Sequence, residues 1–248
     1  MAAKVVVGRT TIASPSRAGT VREVDDVERL AELMGTSGPI LPLDEACLII
    51  ARAVRPQLLV ADVAGRLDEL AASCPAPVFD VMLDHLFGAG RLAGNRADYH
   101  DPANSLLDQV LARRLGLPIT LSIVAIEVGR RIGVPVQGVG MPGHFLLRDK
   151  VDVTVFADPF EGGRLLDASD CRVLFERSTG SRASWDDRFL EPTDDHAIIT
   201  RVLRNLLPSY ARRAELAGLR RLVALRLACP GLHPSETSEL ARVLAPLN

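Results

Sequence analysis

The sequence predicts an α+β chain in which a buried helix packs on a small antiparallel sheet, with helical additions at both ends. Three observations carry this. Apolar residues recur at helical spacing as far as Gly133, and the periodicity then changes from 3.6 to 2. The segment Ile119–Ile132 is apolar nearly all round, with Ser122, Glu127, Arg130 and Arg131 as its polar residues, which makes it an interior helix with a wet C-terminal end. From Asp194 the strand signal disappears. In a chain of 248 residues this divides into a flexible leader (1–40), an α+β domain (41–190) and a helical extension (191–248).

Taken in order, Asp44 is an N-cap for a helix through Ile50, with Leu43 able to staple against Leu48, and Pro56 breaks it. Asp62 caps a second helix carrying Val63, Leu67, Leu70 and Ala71, and a short one follows over Val78–Leu86. A polar loop, Gly88–Asn104, comes next. Ser105-Leu-Leu-Asp108 reads as a capping box for a helix to Leu115 that stops at Gly116. Pro118 suits the first turn of the interior helix, and Gly133 terminates it. Val134–Met141, His144–Arg148 and the alternating Val151, Val153 and Val155 read as strands around the Pro142-Gly143 turn. Asp158–Gly163 is a turn, Leu165-Leu166 a short strand, Ser169 the cap of a helix through Cys171 and Phe175, and Ser178–Ser184 an exposed loop. Two or three terminal helices are broken near Gly218 and at Cys229-Pro230-Gly231. Their spacing is that of a tetratricopeptide-like hairpin, which must pack on the preceding domain because one repeat cannot bury its own face.

Composition narrows the function. Aromatics are 4% of residues against 48% hydrophobic, so aliphatic side chains fill the core. A formal charge of −2 provides no field for nucleic acid or an anionic membrane, and no stretch reaches membrane-spanning length. The three N-terminal valines are too short for a secretory signal. Cys47, Cys74, Cys171 and Cys229 show neither zinc nor disulfide spacing, which fits a reducing cytoplasm. His100 and Asp101 lack a second pair at metal-ligand spacing, so neither metal nor cofactor is expected. Gly138-Val-Gly-Met-Pro-Gly143 matches a dinucleotide fingerprint in letters alone, because a β-prone run follows where that site needs a helix.

His144 and Asp158 stand out. Adjacent antiparallel strands would bring them together, as the base and orienting acid of a triad or as a structural hydrogen bond. A nucleophile belongs at the start of the interior helix, where Pro118-Ile-Thr-Leu-Ser122 holds no thiol. Thr120 and Ser122 are the only hydroxyls there, available for attack or for bonds within the helix start. Nearby, Tyr99, His100 and Asn104 are candidate ligand-binding residues. Asn104 either caps a helix or points into a cleft. Cys171, among Val173, Leu174 and Phe175, reads as a small core residue.

Leu43–Ala51, Tyr99–Ser122, Gly133-Val-Pro135, Gly138–Arg148 and Asp158–Gly163 together resemble the bacterial SirB transglutaminase-like family, over roughly residues 43–178. The resemblance implies a papain-like core and, in active members of the wider superfamily, a cysteine at the helix start working with a histidine and an aspartate on successive strands. Carried over, these last two fall on His144 and Asp158, while the cysteine position falls within Pro118–Ser122. The resemblance, with the thiol missing, implies a protein that keeps the cleft and the His144–Asp158 pair and works by binding a polypeptide or an acidic or amide ligand, with a protein or peptide as its expected partner. The alternative is a hydrolase or acyltransferase in which Ser122 or Thr120 attacks with His144 and Asp158 in support.

Overall fold

A computed structural model describes residues 17–36, 38, 40–58, 60–180 and 184–244. Four helices come first: α1 (Arg17–Thr36), α2 (Leu43–Val54), α3 (Val60–Ala72) and α4 (Phe79–Phe87). Of the expected leader, residues 1–16 lie outside the described residues. Within the rest, Arg17–Thr36 forms α1, which buries Leu30 and Met34 in the main core. Sequence inspection missed this helix since Glu23–Glu32 carries acids on nearly every turn, which masks the short apolar stripe Leu30–Met34.

Between α4 and the interior helix, the polar loop is pinned rather than free. Residues Ala93–Gly94 (β1) pair in parallel with Leu115–Gly116 (β2), which flank α5 (Leu107–Arg113). A 3-10 turn, Pro102–Ser105, precedes α5, and its cap is Asp101, whose carboxylate accepts the Ala103 N–H at 3.1 Å. Ser105 is therefore a buried turn residue rather than the expected cap, and α5 is shorter than its pattern implied.

The interior helix, α6 (Pro118–Ile132), is buried continuously from Pro118 to Gly129 and ends at Gly133 with φ +77°, a left-handed conformation that favours glycine. It packs on β3 (Val136–Val139), β4 (Leu146–Asp149) and the turn Pro159–Glu161. With β5 (Phe156–Asp158) and β6 (Arg164–Leu166), these strands make a four-stranded antiparallel meander, pairing Val139 with Leu146, Leu147 with Ala157 and Asp158 with Arg164. The period of two sorts its side chains. Leu147 and Ala157 join the main core, while Val139, Leu146, Phe156 and Leu166 face a second cluster containing Cys171 and Phe175 of α7 (Ala168–Thr179). Both faces of the sheet are thus covered.

Two expectations fail here. Val151–Val155 is not a strand: Val151 and Val153 are exposed in the β4–β5 connection, where the Arg148 guanidinium holds the Val153 carbonyl at 2.7 Å. The cap of α7 is Asp167, which accepts the Asp170 N–H at 2.8 Å, and Ser169 donates to that same carboxylate. Of the predicted loop Ser178–Ser184, Ser178 and Thr179 finish α7, and 181–183 lie outside the described residues.

The last helices are α8 (Asp195–Arg212), α9 (Leu216–Ala228) and α10 (Pro234–Leu244). α8 and α9 pack on α2, and α9 also packs on α1, so the extension shares one core with the domain. The break falls at Arg213–Glu215, and Gly218 lies inside α9. A Cβ there would sit 2.4 Å from the Tyr210 ring, so this glycine serves a close helix approach rather than a turn. Among the described residues no helix is long and apolar enough to cross a membrane.

Candidate functional site

His144 lies just before β4, in a turn closed by its N–H to the Met141 carbonyl at 3.0 Å, and Asp158 ends β5 beside it. The sheet register delivers the pair: His144 Nε2 lies 2.8 Å from Asp158 Oδ2. Asp158 is 1% exposed and its other oxygen accepts the N–H groups of Phe160 (2.9 Å) and Glu161 (3.3 Å), so the carboxylate is fully satisfied. As an acceptor, the carboxylate selects the tautomer with the proton on Nε2, leaving the Nδ1 lone pair free in the neutral ring. No hydrogen bond reaches Nδ1 among the described residues. Chemically, this is an oriented imidazole with no bonding partner at Nδ1 among the described residues.

The hydroxyls expected opposite it are occupied elsewhere. Ser122 Oγ donates to the Pro118 carbonyl at 2.9 Å, one turn back in α6. Thr120 Oγ1 donates to the Asn104 carbonyl at 2.5 Å and accepts the Leu117 N–H at 3.1 Å. Both side chains are 0% exposed, and neither is bonded to His144. They tie the start of α6 to its own first turn and to the turn before it, so neither hydroxyl makes the bond to the imidazole that the nucleophile reading of Ser122 and Thr120 expects. Thiols do not replace them: Cys171, whose charged form would face Asp170, Asp167 and Asp158, is fully buried, and desolvation first and these carboxylates second push it up to about 12.

Asn104 is likewise structural. Its carboxamide donates to the carbonyls of Asp98 (2.7 Å) and Tyr99 (3.3 Å) and accepts from Asn95 at 2.9 Å, at 0% exposure. It clasps the loop shut, neither capping a helix nor entering a cleft. That clasp presents Tyr99, which meets Phe160 edge-on at 5.8 Å and His100 at 5.5 Å, so both loop residues stand near the turn that follows Asp158. Burial raises the Tyr99 pKa above its usual 10 and the charge of Arg201 opposes the rise.

Arg201, on α8, escaped the sequence reading. Its guanidinium donates to the His144 carbonyl at 2.8 Å and lies 5.3 Å over the Phe145 ring. The signal was an arginine set between Ile198-Ile199 and Val202-Leu203, all fully buried, in an otherwise apolar stripe. Among the described residues no group of three or more His, Cys, Asp or Glu is placed to hold a metal ion. Asp101 instead pairs with Arg113 and Arg213.

The model of the transglutaminase-like superfamily matches residues 52–204, a span that contains α6, the sheet and the His144–Asp158 couple. The chain belongs to that superfamily. UPF0162 proteins of Xylella fastidiosa are 46% identical over 189 residues, covering 69% of this chain and 66% of theirs. This chain therefore spans just under two thirds of their length. A UPF0162 protein of Pseudomonas aeruginosa is 33% identical over 187 residues, 72% of this chain and 68% of its own. Human F-box only protein 21 is 36% identical over 107 residues, 39% of this chain and 17% of that protein. No solved structure matches. His144 and Asp158 both lie within the matched span, and the first turn of α6, Pro118–Ser122, holds hydroxyls and no cysteine.

Proposed function

We propose that this chain is a SirB-type transglutaminase-fold protein that acts in the cytoplasm by binding a polypeptide ligand beside His144, without forming a covalent intermediate. The observation that supports this is the commitment of both hydroxyls at the start of α6 to backbone carbonyls, together with an imidazole whose Nδ1 has no partner among the described residues. An unpaired acceptor at a half-buried ring is a recognition group for a ligand N–H when no nucleophile stands by to use it as a base. The F-box relative supports a portable binding unit, since the similar stretch is a minor part of a much longer protein. The terminal helices, tetratricopeptide-like in spacing, complete the core in this reading, and α8 also faces the His144 turn through Arg201.

The test is direct. Purified protein is incubated with amine donors, glutamine peptides and generic ester probes. No turnover above that of His144→Ala is expected, and turnover that His144→Ala abolishes would overturn the reading.

A further inference from the structure

Arg201 is half-buried, and among the described residues no carboxylate lies within ion-pair distance of it. Its bonds go to neutral acceptors, the carbonyls of His144 at 2.8 Å and Met141 at 3.5 Å, and its face covers Phe145. A guanidinium keeps its proton in proteins and offers five donors, so the two carbonyls leave most of that capacity unused. A charge drawn partly out of water without a counter-ion is unfavourable, and here desolvation lowers the Arg201 pKa with only the Tyr99 phenolate form opposing. The Tyr99 hydroxyl, within electrostatic reach of this guanidinium, has no hydrogen-bond partner among the described residues, and the residue is 44% exposed.

We infer that Arg201, Tyr99 and His144 form a receptor for the C-terminal carboxylate of a peptide. The charge count selects the ligand: one guanidinium and one phenol match a planar monoanion, whereas a phosphate dianion is met by clusters of arginine. The acceptor count selects its surroundings. His144 Nδ1 offers a lone pair, and Arg201 is tethered to that same residue's carbonyl, so a donor N–H must sit beside the anion. The last residue of a peptide carries both groups. The inference rests on the binding role proposed above and names its ligand.

Three probes separate the sources of a carboxylate: N-acetylglycine (terminal), N-acetylglutamate α-amide (side chain) and N-acetylglycinamide (none). Each is titrated into the full chain while the Arg201 Nε–H and His144 ring resonances are followed. N-acetylglycine is expected to shift both saturably, with N-acetylglycinamide weaker by about tenfold or more, the scale of one charge-assisted bond. Arg201→Gln should lose that selectivity with the His144 ring signals still native, and Tyr99→Phe should weaken N-acetylglycine by roughly threefold or more, as for one neutral hydrogen bond. Should Arg201→Gln fail to fold, Tyr99→Phe and the probe series decide. Equal binding of acid and amide, unchanged affinity in the folded variants, or a side-chain probe that binds as well as the terminal one overturns the inference. Those results leave the binding role standing, whereas His144-dependent turnover would sink that role without touching carboxylate selectivity.

Discussion

At the scale of single residues the couple was legible and its surroundings were not. His144 and Asp158 follow from the antiparallel pairing of β4 with β5, Leu147 opposite Ala157, so adjacent strands alone predict their meeting. The fate of the two hydroxyls turns on which carbonyl each reaches: Thr120 takes that of Asn104, brought in from another turn, and Ser122 that of Pro118 in its own helix. Asp158→Ala would leave the Phe160 N–H, the Glu161 N–H and the imidazole N–H without their acceptor. It is expected to cost about 3 kcal/mol in urea unfolding, since each orphaned buried donor costs about 1–3 kcal/mol, and Asp158→Asn, which keeps one acceptor oxygen, should cost less. Gly94→Ala would put a Cβ 2.4 Å from the Phe160 ring, in contact with Tyr99, and should destabilise by roughly 1–3 kcal/mol as overpacking does. Cys171, with its thiol pushed up to about 12, is expected to resist iodoacetamide at pH 8 in the folded protein and to react after denaturation. Labelling at the rate of a free thiol in the native state would contradict that burial.

Elements show why periodicity reads some segments and misleads in others. The interior helix was recognisable because only Thr120, Ser122 and Glu127 interrupt its apolar run before the last turn, and burial from Pro118 to Gly129 goes with that pattern. Val151–Val155 alternates as cleanly as any strand, yet Val151 and Val153 face water, because alternation records side-chain parity and not whether a partner strand is within reach. The two-residue pairing of Ala93–Gly94 with Leu115–Gly116 is shorter than any window can detect. Helix α10 is held by charge: Glu236 pairs with Arg204 and with Arg226, the latter 0% exposed on α9. The Arg204 bond, more than the Arg226 bond and charges, holds the Glu236 carboxyl below its ordinary value of 4.5, although partial burial works against it. A depressed carboxyl contributes stability above its unfolded pKa and loses it as pH falls through the folded value. Between neutral pH and the region below 4.5, amide exchange in α10 is therefore expected to accelerate before exchange in α6 does. Simultaneous acceleration in both helices would show that α10 is not a separately anchored element.

At the scale of the whole molecule, helices on both sides of the transglutaminase-like centre share its main core, and a second, smaller cluster lies on the other face of the sheet. The main cluster runs without interruption from Leu30 on α1 to Leu240 on α10, through Ile123 on α6 and Leu222 on α9. Composition failed at the N-terminus because an acidic, weakly apolar segment resembles a solvated leader until its few apolar side chains are seen to cover α2 and α9. Beyond Leu30 and Met34, at 0% and 3% exposure, α1 supplies Asp26, which is ion-paired with Arg52 of α2, and Arg29, 2.6 Å from Glu45. Exposed pairs such as Arg29–Glu45 contribute little, so the burden falls on the apolar contacts and on the buried Asp26. Burying a leucine or methionine side chain stabilises by about 1.5–3 kcal/mol, so a chain beginning at Leu41 should lose at least roughly 3 kcal/mol and still unfold in one transition. Urea titration of the two chains, followed by circular dichroism, checks this. Coincident midpoints would return α1 to the status of a leader; a lower midpoint with an unsplit transition makes it part of the domain whose His144 turn it helps to hold rigid through α2 and α8.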